Sequence, residues 1–289
     1  MRAALRVLTF PGLMVLCLLG TWGLIGLGLK VPVAATAVAV VQTVVLLGLE
    51  RLIPYRQAWV KGDGQTANDL GHTVFGTALG GVLGDSLNGL WAGALVVWCT
   101  EALGSPLWPG GAPFVLQVVA VYLLADLGRY VQHRLHHRFA FWWRFHELHH
   151  DVRAMGALKS SRSHLVERLL QQLFMFGPLL ALGAPREVLW WFIVPNSFLG
   201  AFAHCNVDLR LGPFEYLLMG PANHRLHHAV DLRQSSANFS SALVVWDVVF
   251  GTWLNPHRET LKDVGVAQAT PRGFLAQLVA PLRRSSSAS

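Results

Sequence analysis

The chain has 289 residues, of which 53% are hydrophobic and only 13% charged, and its net charge is +7. Soluble domains carry about 25% charged residues, so this composition excludes an ordinary soluble protein and points to a membrane. The basic excess does not mark a nucleic-acid binder either, because Lys and Arg fall between apolar runs and form no stripe with interleaved aromatics. Cys17, Cys99 and Cys205 are odd in number and widely spaced, which leaves no disulfide framework and no CxxC site. They are read as packed thiols.

Arg2 and Arg6 precede an apolar run at 8–29 that lacks acidic and basic residues. It is long enough to cross a bilayer. A second run at 33–49 follows at once, so the first is expected to be a retained span rather than a cleaved signal. Arg51, Arg56 and Lys61 come next. Basic residues thus flank both ends of a helical hairpin, and the positive-inside rule places those ends in the cytoplasm.

After a polar loop at 62–68, the stretch 70–97 is apolar but Gly-rich, and Asp85, Ser86 and Asn88 interrupt it. It is expected to be one broken or tilted span. Asn68, Asp69 and His72 at its mouth are read as a hydrated helix end. The loop 101–113 has no basic residue and is expected outside the cytoplasm. The span 114–132 then runs straight into a histidine-rich segment.

From 129 to 168 the chain is rich in arginine and histidine, and the same rule places it in the cytoplasm. Two shorter apolar runs, 169–183 and 188–203, are expected to form a hairpin that enters the membrane only in part. The segment 239–253 is expected to be a helix covering the site. Residues 283–289 read as a frayed tail. The expected organisation is a transmembrane hairpin and loop (1–68), spans leading into the catalytic region (69–128), a histidine-box domain (129–255) and a polar tail (256–289). The fold class is all-α: a polytopic membrane helix bundle of about four spans plus a shorter hairpin, with a cytoplasmic helical cap.

Most of the histidines crowd into three boxes: His133 to His137 (HRLHH), His146 to His150 (HELHH) and His224 to His228 (HRLHH). On a helix, positions i, i+3 and i+4 share a face. His133 and His137 therefore point one way, as do His146, His149 and His150. Neutral imidazole is a metal ligand that needs no charged partner. With His204, the set His133, His137, His146, His149, His150, His204, His224, His227 and His228 is too large for one ion and about right for two. All-nitrogen, redox-capable sites suit iron or copper. Unmetallated, so many buried imidazoles would lose water without compensation.

The flanks of the boxes carry a resemblance. Asp126 precedes His133–Arg134 and His137. Trp143–Arg144–Phe145 leads into His146, with His149 and His150 beyond. Phe202–Ala203–His204–Cys205–Asn206 comes next. Then follow the third box, Asp231, Asn238–Phe239 and Trp246–Asp247 through Thr252. In this order the segment resembles the fatty acid hydroxylase / sterol desaturase superfamily of integral membrane di-iron oxygenases. The resemblance implies that the nine histidines are the ligands of two iron ions, which zinc can replace in a purified sample, with O2 as co-substrate. It sets His136 aside. It also makes His164 a candidate ligand or ligand-orienting residue, because the family often has a His and a Glu after the second box, here in Arg162–Ser163–His164–Leu165–Val166–Glu167. Asp126, Asp231, Asn238 and Asp247 are the other candidates for orienting ligands through the second ring nitrogen. Trp142, Trp143, Trp190 and Trp191 are read as markers of the bilayer interface.

The implied activity is hydroxylation, or alternatively desaturation, of a lipid C–H bond. No haem or dinucleotide fingerprint appears, so electrons must come from a separate donor, ferredoxin- or cytochrome b5-like, with its reductase. The expected location is a bacterial inner membrane, with the N-terminus and the metal site on the cytoplasmic side. Two other readings compete. His146–Glu147–Leu148–His149 satisfies HExxH, the signature of a zinc protease whose Glu is the general base, but that reading leaves the other boxes unexplained. A metal transporter would string its ligands along the spans, and these spans carry few.

Overall fold

The computed structural model describes residues 2–209 and 211–283. The tail expected to fray lies, from residue 284 on, outside the described residues. All regular elements among the described residues are helical, and the only β pairing is isolated bridges. The helices are α1 (Arg2–Gly26), α2 (Val31–Leu52), α3 (Thr66–Leu103), α4 (Phe114–Arg138), α5 (Ala140–His150), α6 (Leu165–Ala181), α7 (Arg186–His204), α8 (Pro221–His227), α9 (Leu232–Ser235), α10 (Val245–Val249) and α11 (Phe274–Arg283). Four of them, α1 to α4, are long and apolar enough to cross a membrane. This is an all-α, multi-pass integral membrane protein, as its hydropathy pattern predicts.

The chain divides into two compact units. One holds Met1–Asp69, His149–Ser161 and Ile193–Ala269; the other holds Leu70–Leu148, Arg162–Phe192 and Thr270–Ser289.

In the first unit α1 and α2 pair as an antiparallel hairpin. The turn needs Gly28 at φ 91, a left-handed conformation that costs glycine little. Gln42 donates to the Leu13 carbonyl across the pair at 2.7 Å, which satisfies a polar group at membrane depth. Phe10, Leu13, Leu46 and Leu49 pack with Phe198 and Phe202 of α7. At the end of α2 the Glu50 carboxylate accepts from the backbone N–H groups of Ala157 and Asn206, at 2.7 and 3.0 Å. Close by in sequence, Lys159 bridges Asp63 and Asp69 at 2.7 Å each. Asp69 is buried in this ion pair, and in the second unit His72 is buried against Gln277 and Phe274. These residues are not the hydrated helix end that their polarity suggested, because each finds a buried partner far away in sequence.

In the second unit α3 is a single unbroken helix, not a broken span. Its 38 residues run about 57 Å at 1.5 Å per residue, well beyond the roughly 30 Å apolar core of a bilayer. The polar residues that suggested a break are accommodated in place. Asn88 donates to the Gln172 carbonyl at 3.0 Å, and Asp85 pairs with Arg186 at 3.2 Å. The glycines serve packing. A methyl added at Gly84 would overlap the Gln172 side chain, and one added at Gly128 would overlap the Phe174 carbonyl. Small residues allow this approach of backbones between membrane helices.

The α6–α7 turn is held by contacts with the segment that precedes α4. The Trp108 N–H donates to the Leu182 carbonyl at 2.6 Å, and Gly183 faces Pro106. The turn therefore meets the loop that joins α3 to α4, at the end of α4 opposite His133 and His137. The segment 239–253 also departs from expectation. Only Val245–Val249 is helical, because Asn238 at φ 56 and Gly251 at φ 69 adopt left-handed backbone on either side.

Two outcomes test this packing. Gly128→Ala should lower the melting temperature in detergent and the folded yield, at a cost on the order of 3 kcal/mol for an overlap with backbone, whereas Gly89→Ala, which meets open space, should change neither. Burial by itself would raise the Asp63 carboxyl, but the Lys159 hydrogen bond and charge hold it below its usual range. Its stabilising contribution is therefore present above the unfolded value, near 3.9, and is lost as pH falls through the folded one. Lys159→Met should cost about 3–5 kcal/mol at neutral pH by stranding buried carboxylates, and the deficit should shrink in melts run near pH 4.

Candidate metal centre

Imidazoles cluster within each of the two units. In the second unit, α4 keeps its helix through its last two turns and presents His133 and His137, while α5 supplies His146. The Nε2 atoms of His133 and His146 lie 3.0 Å apart. The ring of His137 is centred 5.2 Å from that of His133 and 5.0 Å from that of His146. His146 Nδ1 meets the buried Glu167 carboxylate at 2.9 Å, and Arg129 lies 3.8 Å from the same oxygen. Trp143 stands edge-on to His137 at 5.0 Å, so it packs on a candidate ligand rather than simply marking the bilayer boundary.

In the first unit, His149 from the end of α5, His204 from the end of α7, and His224 and His228 from α8 and its cap converge. One ring nitrogen from each lies within 4.8 Å of the others. The successive Nε2 separations are 3.2 Å from His149 to His204, 2.9 Å from His204 to His224 and 3.1 Å from His224 to His228. His150 stacks on His228 at 4.4 Å and meets His227 at 4.6 Å. The short helix α8 begins with Pro221 at its first position, where a missing N–H costs nothing. That start sets the face on which its histidines emerge.

The donor set fits a metal. Carbonyl oxygens only accept, so the contacts of His204 Nδ1 with the Gly200 carbonyl and of His227 Nδ1 with the Ala237 carbonyl, both 2.8 Å, place the ring protons on Nδ1. The Glu167 carboxylate does the same for His146. Each of these three Nε2 atoms is then a lone pair, and those of His204 and His146 face other imidazole nitrogens about 3 Å away. Such a nitrogen can accept a neighbour's N–H or bind a cation. The buried Nδ1 atoms of His224 and His228 make no hydrogen bond, which allows these rings to carry their proton there and turn an unprotonated Nε2 to the same ion. Tying the outer nitrogen to a carbonyl or carboxylate is also how ligating histidines are oriented.

Other sequence candidates fall elsewhere. His136 contacts the carbonyl of Gln132 through Nδ1 at 2.7 Å and belongs to neither group. His164 caps α6: its Nδ1 accepts from the Val166 N–H, while Nε2 faces the Leu278 carbonyl at 3.0 Å. Both of its nitrogens serve the fold; Glu167, one turn further on, meets the ring of His146 instead. The family pattern pointed to that short stretch, but composition could not say which of its two polar residues would reach His146. Asp231 is exposed and caps α9 through the Gln234 N–H at 3.1 Å, a local role that removes it from the centre. Asp126 is buried on α4.

Asp247 and Asn238 act through the backbone. Asp247 accepts from the N–H groups of Phe239 and Ser240 and from the Thr252 hydroxyl, at 2.8, 2.9 and 2.7 Å. Burial raises its carboxyl above the usual range, against the pull of those donors. Asn238 donates to the carbonyls of Asn223 and Leu254 and accepts from the Leu254 N–H. Together they fix the loop whose Ala237 carbonyl receives His227. No sequence signal reveals a backbone acceptor. Cys205 is fully buried and burial pushes its thiol up to about 12, consistent with a packed, inert thiol.

This all-helical membrane chain with clustered, buried imidazoles is similar to lipid hydroxylases and monooxygenases. The model of the family described as fatty acid hydroxylase matches residues 118–252. Ornithine lipid hydroxylase OlsE of Rhizobium tropici is 37% identical over 86% of this chain and 75% of its own length. Alkylglycerol monooxygenase of Homo sapiens is 29% identical over 46% of this chain and 30% of its own. Methylsterol monooxygenase 1 of Rattus norvegicus is 25% identical over 48% and 47%. No solved structure matches. The chain belongs to the fatty acid hydroxylase / sterol desaturase superfamily.

Glu167→Gln keeps the side chain's shape and removes its charge. Loss of such a partner typically costs 10–100-fold, roughly, in metal affinity or activity. Purified Glu167→Gln should therefore release metal to a chelator at concentrations that leave the parent chain loaded, while Asp231→Asn should match the parent. Metal analysis after graded dialysis separates these outcomes.

Proposed function

We propose that this chain is an O2-dependent lipid monooxygenase in which eight imidazoles of the three boxes, His136 excepted, together with His204 hold two iron ions. The observation that carries the reading is the convergence of His149, His204, His224 and His228, each with a nitrogen aimed at a common point. The triad His133, His137 and His146, fixed by Glu167, supports it. Two bound irons supply the activation of O2 and the cleavage of an unactivated C–H bond. The balance is that of a monooxygenase: the lipid C–H and O2, with two electrons and two protons, give C–OH and water.

The protein's own residues position and shield. Gly200, Ala237 and Glu167 hold the ring protons of His204, His227 and His146 on Nδ1, so the Nε2 atoms of these three rings are unprotonated before any ion arrives. Burial of every ligand except the half-buried His137 keeps bulk water from the reacting atoms. Lys and Arg asymmetry supports a cytoplasmic position for the boxes and the N-terminus, in a bacterial inner membrane. Hydroxylation is the favoured outcome, with desaturation as the alternative. Among substrates, an amino-acid-bearing membrane lipid of the ornithine type comes first, because the ornithine lipid hydroxylase aligns with most of the chain, whereas the glyceryl ether and sterol enzymes align with less than half.

The zinc-protease reading needs His146 and His149 on one ion. It is disfavoured because His149 joins a four-histidine group that does not include His146.

The test is expression under 18O2 in a host that makes ornithine lipid, with lipid extracts read by mass spectrometry and metal counted on the purified chain. The expected result is a lipid carrying one labelled oxygen and about two irons per chain. His149→Ala should lose iron and product together, while His136→Ala should retain most of both. Full activity in the first variant, or equal loss in the second, would show that the ligands are misassigned.

A further inference from the structure

Electrons must enter from outside the chain, and the second unit offers a surface for that entry. The turn from α4 to α5 follows directly on the ligand His137. It exposes Arg134 and Arg138, and beside them Phe139 and Phe141, each 50% exposed. Arg138 and Arg144 lie over the rings of Phe139 and Phe141, at 5.9 and 4.2 Å. Residues 127–146 contain no Asp or Glu, so the patch is basic without internal compensation. A small apolar centre inside a charged rim is the anatomy of a transient protein interface.

Half-buried Trp143 lies just beneath this turn. Its ring is 5.0 Å from that of His137 and 6.0 Å from that of His146. It places one half-buried π-system against two candidate ligands.

We propose that the turn bearing Arg134, Arg138, Phe139 and Phe141 is the docking surface for an acidic one-electron carrier protein, with Trp143 as the contact through which electrons reach the metal ligands. This rests on the monooxygenase reading above. Each docking oxidises one reduced carrier by one electron; two dockings supply the two electrons of one turnover, and the two protons come from solvent. No covalent bond forms between the proteins. Charge complementarity sets the rate of encounter and makes it sensitive to salt.

The experiment uses the full chain in nanodiscs of neutral phosphatidylcholine, with an acidic [2Fe–2S] ferredoxin and a soluble cytochrome b5 domain as probes. Biolayer interferometry should show at least one carrier binding, with affinity that falls as salt rises. The double variant Arg134→Gln/Arg138→Gln should bind that carrier about tenfold more weakly, and carrier-driven product formation should show a raised KM with kcat retained. Product formation driven by dithionite should be unchanged. Trp143→Leu should leave carrier binding intact while slowing carrier-driven turnover, and Trp143→Phe should restore part of it.

The proposal is overturned if neither carrier binds, if the double variant binds as the parent does, or if it loses dithionite-driven product in the same proportion. It is also overturned if the variant's defect appears only when phosphatidylglycerol is added to the disc, which would make the patch a contact for anionic headgroups. If the parent chain makes no product even with dithionite, the monooxygenase reading fails, while the binding data still judge the surface.

Discussion

The structure depends on the direction in which imidazole protons point. A histidine ring offers one lone pair and one N–H, and which nitrogen carries which is set by what the other touches. Here a helical carbonyl at Gly200, a loop carbonyl at Ala237 and a buried carboxylate at Glu167 each take an N–H from a ring. The opposite nitrogens are left as acceptors, and those of His204 and His146 look at the ring nitrogens of His224 and His133. An ion arriving there meets lone pairs that are already oriented. Much of the architecture serves to hold those three acceptors in place.

That requirement explains features that otherwise look unrelated. Asp247 and Asn238 are far from obvious as functional residues, yet they fix the backbone that presents Ala237. Asn238 accepts a left-handed φ to do so. Arg129 sits 3.8 Å from the Glu167 oxygen, where its charge favours the carboxylate against the burial that favours the neutral acid. The glycines of α3 and α4 let α6 approach closely enough to place Glu167 beneath His146. Membrane packing and ligand orientation are the same problem in that unit, because α6 does both.

Spans, boxes and superfamily were legible in the sequence, since each rests on local patterns: apolar run length, 3.6-residue spacing and ordered flanks. The ambiguous parts were those where a polar residue's partner lay far along the chain. Asp69 looked like a hydrated end until Lys159 was found beside it, 90 residues away. Asp85 and Asn88 looked like a break in α3 until Arg186 and the Gln172 carbonyl accounted for them. His164 was the candidate in its stretch and Glu167, three residues on, was not; packing makes the first a helix cap and brings the second to 2.9 Å from His146 Nδ1.

By itself the sequence determined that the chain crosses a membrane on long helices and that its histidines come in boxes with ligand spacing. Periodicity and hydropathy are properties of neighbouring residues and survive without a fold. Tertiary structure decided which imidazoles cluster: it brought a ring nitrogen of His149 within 4.8 Å of those of His204, His224 and His228, in a group without His146, although one helix carries both. It also decided which groups orient the rings, because two of the three identified here are backbone carbonyls. Every residue has a carbonyl, so no side-chain pattern can mark the ones that matter.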